Sequence, residues 1–146
     1  MSLPVYADSV WSEEVESLTR QIIGTDADPE KQQLARRIAE AQVDLRRVRS
    51  ARHQLLSRAL SDPDYESEAT LRKKAGLIIG CFRRIGPSAP MPDNVMEFLQ
   101  SKPEGPCKFA TILADKTRQL LALDRYERRA LSRRKFAIRE FDIGTP

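Results

Sequence analysis

Residues 29–60, PEKQQLARRIAEAQVDLRRVRSARHQLLSRAL, decide the fold. Within them Leu34, Ile38, Ala41, Leu45, Val48, Arg52, Leu55 and Ala59 follow one another in alternating steps of four and three. That is the a/d spacing of a heptad repeat, and it predicts one helix with a coiled-coil seam. Asp28 is placed to accept from the free amides of the first turn, and Pro29 occupies the first helical position, where a missing N–H costs nothing. Pro63 sets the other limit, because it disfavours the helical conformation in the residue before it. At 1.5 Å per residue the helix is about 48 Å long, too long to bury its stripe without a comparably long partner.

Residues 107–141 answer that requirement. The segment contains no proline or glycine, and Phe109, Ile112, Leu113, Leu120, Leu123, Ala130, Ala137 and Phe141 form its stripe, widened by Leu121, Leu131 and Ile138. The expected fold is therefore all-α, an elongated helical bundle built on two long helices, about 29–60 and 107–141, with shorter helices around them. Nearly fifty residues separate the two, so the sequence leaves their relative direction open.

The shorter elements follow from local signals. Residues 1–7 carry no periodicity and read as a loose arm. A first helix, capped by Asp8 or Ser9 and ended by Gly24, places Trp11, Val15, Leu18 and Ile22 on one face, with Glu13, Glu14 and Glu16 in its early turns. Its expected place is in the bundle, with an acidic face set against the basic long helix. A helix of about 64–84 should bury Ala69, Leu77, Ile78, Phe82 and Ile85. Gly76 and Gly80 cost it about 1 kcal/mol each relative to alanine, and close approach of another helix would explain them. The proline-rich stretches 86–92 and 102–106 are connections on either side of a short helix capped by Asp93. The whole chain reads as one domain.

Composition narrows the function. The chain has 146 residues, 40% hydrophobic, 32% charged and 6% aromatic, which favours a bundle with solvated faces over a β-sandwich. The net charge of +4 hides an asymmetry. Up to Glu30, Arg20 stands against seven acids; after it, 24 basic side chains stand against 14 acidic ones, about +10. Such a field attracts nucleic acid or an acidic protein. Cys81 and Cys107 are too few for a disulfide framework, and Met1-Ser2-Leu3-Pro4-Val5 lacks the features of a signal peptide, so the expected setting is cytoplasmic. No apolar run approaches the roughly 20 residues of a membrane span.

Arginine is concentrated at two places. The long helix carries Arg46, Arg47 and Arg49. The segment 125–135 carries Arg125, Arg128, Arg129, Arg133, Arg134 and Lys135, six basic residues in eleven. The planar guanidinium fork suits phosphate, and Arg125, Arg128, Arg129 and Ser132 share one side of a helix. These eight arginines are the candidate nucleic-acid contacts. No helix-turn-helix, zinc finger or RNA-binding aromatic signature accompanies them, so contact is expected with backbone rather than bases. Arg52 occupies a seam position, where a charge pairs with an acid across the interface or fixes register.

No nucleophile with a neighbouring base, metal-ligand cluster or phosphate loop is identifiable, and His53 is the single histidine. The expected function is thus a non-enzymatic binding module, without cofactor or metal. The alternative is an assembly protein whose long amphipathic helices pair with another copy, as a homo-oligomer, or with a second protein. Residues 34–49 (LARRIAEAQVDLRRVR) and 124–135 (DRYERRALSRRK) resemble segments of a group of uncharacterised bacterial α-helical proteins. That resemblance implies a bacterial cytoplasmic helical protein and assigns no functional residue.

Overall fold

The computed structural model describes residues 6–24 and 28–143, with side chains from Val10 onward. Five helices follow in order: α1 (Tyr6–Ile23), α2 (Pro29–Ser61), α3 (Glu68–Ile85), α4 (Asp93–Gln100) and α5 (Gly105–Ile143), with no strand among the described residues. The all-α class and both long helices agree with the heptad reading. Residues 1–5 of the expected arm lie outside the described residues, while Tyr6 and Ala7 already belong to α1, so Asp8 and Ser9 lie inside the helix rather than at its cap. The residues group into two compact units: one joins the chain up to His53 with the chain from Leu121, and the other is Gln54–Leu120.

In the first unit α2 and α5 run antiparallel. Four cross-helix pairs prove the direction: Arg37 with Glu140 at 3.7 Å, Gln42 with Arg134 at 2.7 Å, Asp44 with Arg133 at 2.6 Å and Arg49 with Glu127 at 3.0 Å. Each step of seven along α2 is a step of seven back along α5, so one register holds throughout. Between the flanking pairs lies a seam of small side chains. Ala41, Leu45, Ala130 and Ala137 are buried, and Ala35, Ala39 and Val43 extend the buried arc around α2. Alanine at a helix contact allows axes to approach toward the near end of the usual 8–10 Å. Arg52 reaches Glu127 at 2.8 Å across the same interface, as its seam position required. Helix α1 closes the other side of α2: the Arg47 guanidinium lies 4.7 Å from the Trp11 ring centroid, and Arg46 pairs with Glu14.

The second unit has a smaller core of Ala59, Tyr65 and Ile112, against which Leu56 packs. Buried Tyr65 donates to Asp115 Oδ2 at 2.6 Å. Drawing Tyr65 inward explains a late helix start. The sequence suggests α3 from residue 64, but Asp62 accepts from the Asp64 amide in a turn, and Ser67 Oγ accepts from Thr70 N as the actual cap. Proline at 92 rather than Asp93 occupies the cap position of α4, and α5 starts two residues early because Pro106 is tolerated in a first turn.

Burial on α3 also departs from expectation. Its one buried helical side chain is Lys74, whose ammonium donates to the carbonyls of Leu99 and Ser101, both at 2.8 Å, and pairs with Glu66. A cation among carbonyls at the end of α4 completes groups that the helix itself leaves unsatisfied. The inward side of α3 is set by this polar anchor rather than by its apolar residues. Ala69, Leu77, Phe82 and Ile85 are consequently exposed and Ile78 is half-buried. On α5, Phe109, Leu113, Leu121 and Leu131 are likewise exposed instead of buried, since the stripe is wider than the contact it makes.

Gly76 and Gly80 face no neighbour: a Cβ built on either meets nothing within 4 Å. The helix approach that would justify them is not made among the described residues. Changing each to alanine should therefore stabilise the protein by about 0.5–1 kcal/mol, read as a higher urea midpoint. A loss of stability would show that the missing side chains are needed.

Candidate nucleic-acid interface

The arginines that sequence grouped together separate by helix face. Arg46, Arg47, Arg49, Arg133 and Arg134 sit on the flanks of the α2 contacts, where the acids and amides of neighbouring helices come within reach. Arg46 is taken by Glu14, Arg47 by the Trp11 ring and by Asp44 at 3.9 Å, and Arg49 by Glu127. Arg133 and Arg134 follow each other in sequence but lie about 100° apart on α5, so they grip opposite flanks of α2, at Asp44 and Gln42. These five side chains hold the first unit together.

Arg125, Arg128 and Arg129 lie on the other side of α5. Arg128 is paired only along its own helix, with Asp124 at 2.9 Å, and its side chain is 79% exposed. Arg125 and Arg129 are exposed and make no ion pair among the described residues. Continuing the 3.6-residue period adds Ser132, Lys135, Phe136 and Arg139 to the same face, all exposed. Arg139 lay outside the eight candidates; following the period past residue 135 would have found it. The face runs from Arg125 to Arg139 over about 21 Å. Phe136 stands in it 61% exposed, an aromatic surface set among cations.

Most acidic side chains leave this face, and exposed Asp142 stands at its far edge. Glu127 turns toward Arg49 and Arg52, Glu140 toward Arg37, and Asp124 is held by Arg128. The hydrogen bond from Arg49 and the charge of Arg52 hold the Glu127 carboxyl below the usual carboxylate range, against the opposing effect of its desolvation. The outcome is a helix whose inward flanks are neutralised and whose outward face is cationic. No group of His, Cys, Asp or Glu among the described residues is arranged to hold a metal ion, and no helix there is long and apolar enough to cross a membrane. No family model, curated protein or solved structure matches this chain.

Glu127 also gives a signed pH dependence. Its folded carboxyl gives up its proton more readily than the unfolded one, so the unfolded chain binds more protons between the two pKa values. The stabilisation is fully present above about pH 5 and lost as pH falls through the depressed folded value. Changing Glu127 to glutamine should cost about 1 kcal/mol at pH 7, a shift of about 2–5 °C in Tm. The gap from the parent protein should narrow in melts below about pH 4; a gap that stays constant with pH would assign the loss to packing alone.

Proposed function

We propose that this chain is a non-enzymatic binding protein that holds nucleic-acid backbone against the outward face of α5. The observation carrying this reading is the run of Arg125, Arg128, Arg129, Lys135 and Arg139 along one exposed face, with Glu127 and Glu140 turned elsewhere, Asp124 paired and Asp142 at its far edge. Guanidinium forks and an ammonium spaced by single helical turns suit phosphates a few ångströms apart, and the Ser132 hydroxyl adds a donor between them. No Asn or Gln stands on the face beside the arginines and no groove-reading motif accompanies them, so the binding is of backbone and is not sequence-specific. The free thiols of Cys81 and Cys107 fit a reducing, cytoplasmic setting.

Titration of nuclease-treated protein with labelled duplex DNA, single-stranded DNA and RNA at two salt concentrations tests the reading. With roughly four or five phosphates neutralised, log affinity for duplex should fall against log salt with a slope of about −4. Glutamine at 125, 129, 135 and 139 should abolish binding without lowering Tm, whereas Arg133→Gln should lower Tm and leave the slope unchanged. Absent binding at low salt, or binding indifferent to the change in salt, would contradict the assignment and turn attention to an acidic protein as the partner of this face.

A further inference from the structure

The second unit carries a surface that the nucleic-acid reading does not use. On α3, Leu71, Ala75, Ile78, Phe82 and Ile85 recur in steps of four and three, which is a coiled-coil seam. Leu71, Phe82 and Ile85 are 51%, 50% and 46% exposed, Ala75 is exposed, and Ile78 is half-buried. Monomeric proteins rarely leave so continuous an apolar stripe in water. The long helices α2 and α5 turn their seams on each other in the first unit; the seam of α3 is largely exposed among the described residues.

We propose that this seam pairs with the same seam of a second copy, in antiparallel orientation about a two-fold axis through Ile78. The sequence of sizes along the stripe selects that partner. Reversed upon itself, it sets Ile78 against Ile78, Leu71 against Ile85, and the small Ala75 against the bulky Phe82. Large facing small is the arrangement that fills the space between two helices without voids or clashes. A parallel copy would put Phe82 against Phe82 and leave a gap between two alanines.

Charge agrees with size. Lys73, Arg83 and Arg84 lie well over 100° around the helix from the stripe, and Arg72 is held by Glu68. Lys74 is consumed inside its own unit. An antiparallel copy therefore sets no cation in the seam itself; Arg72 and the second copy's Arg83 come to the same flank, where Glu68 offsets Arg72. Ile79, 52% exposed beside the stripe, meets its own counterpart and extends the contact. A single helix pair of this length buries on the order of 500 Å² per partner, below the roughly 800 Å² of a standard stable interface. The dimer is accordingly weak, forming over the micromolar range rather than persisting at any dilution.

Sedimentation of the full chain at high salt, free of nucleic acid, tests the pairing from about 1 μM to 1 mM. The weight-average mass should rise from 16.6 kDa toward twice that value. The Phe82→Glu variant, altered at a half-exposed position that leaves the fold intact by circular dichroism, should stay monomeric throughout. Orientation is read by oxidative cross-linking with Cys81 and Cys107 changed to serine. Ile78→Cys alone should cross-link. Leu71→Cys and Ile85→Cys should each fail alone and succeed when mixed, because only facing positions bring Cα atoms within about 7 Å. A monomer across the whole range, or cross-linking by Leu71→Cys alone, overturns the proposal. Neither outcome bears on the face of α5, whose salt-dependent binding is measured separately.

Discussion

The antiparallel register of α2 on α5 is the constraint on which the first unit depends. Two flanking pairs on one edge of the seam, Arg37 with Glu140 and Asp44 with Arg133, and two on the other, Gln42 with Arg134 and Arg49 with Glu127, repeat at seven residues. Buried alanines between them permit close approach but do not by themselves choose among registers, since one small side chain packs much like another. The polar flanks make the choice. A slip of one turn would separate all four of these pairs.

That register has an electrostatic by-product. Because the carboxylates of Glu127 and Glu140 are drawn to the α2 side of α5, the opposite side keeps an excess of cations, offset only by Asp124 at Arg128 and by Asp142 at its edge. The same arrangement that holds the helices together therefore concentrates positive potential on the outward face. Each exposed pair contributes little alone, about 0–1 kcal/mol, but Glu127 collects two arginines at a side-chain exposure of 14%, which makes it the firmest of them. Removing inward arginines should loosen the fold and removing outward ones should not, which separates the two sets within one arginine-rich segment.

The long helices were legible in the sequence because heptad spacing, the Asp28-Pro29 start and the Pro63 stop are local signals. Arg52 was legible too: a charge in a seam demands an acid opposite, and Glu127 supplies it. The direction of the helices was not, since it depends on which acids of α5 meet which bases of α2 across some eighty residues. For the same reason the eight candidate arginines could not be sorted. Arg133 and Arg134 are equivalent as sequence and differ only once Asp44 and Gln42 are known to flank α5. The inward side of α3 was misread because Lys74, a residue that composition places at the surface, is the one that turns in. Its reward is three oxygen partners supplied by Glu66, Leu99 and Ser101, two of them from the far side of a proline-rich connection.

A charge-swap cycle at Asp44 and Arg133 tests the register most directly, with stability read from urea unfolding of the parent, the two single variants and the swapped double. Asp44→Arg sets two arginines together and Arg133→Asp sets two acids together, so each alone should destabilise the fold. The swapped pair should recover about 0.5–1 kcal/mol beyond the sum of the two losses, the coupling of residues in contact. A double variant whose loss is the plain sum of the singles would mean that these side chains do not meet, and the account of how α5 is aimed would fall with them.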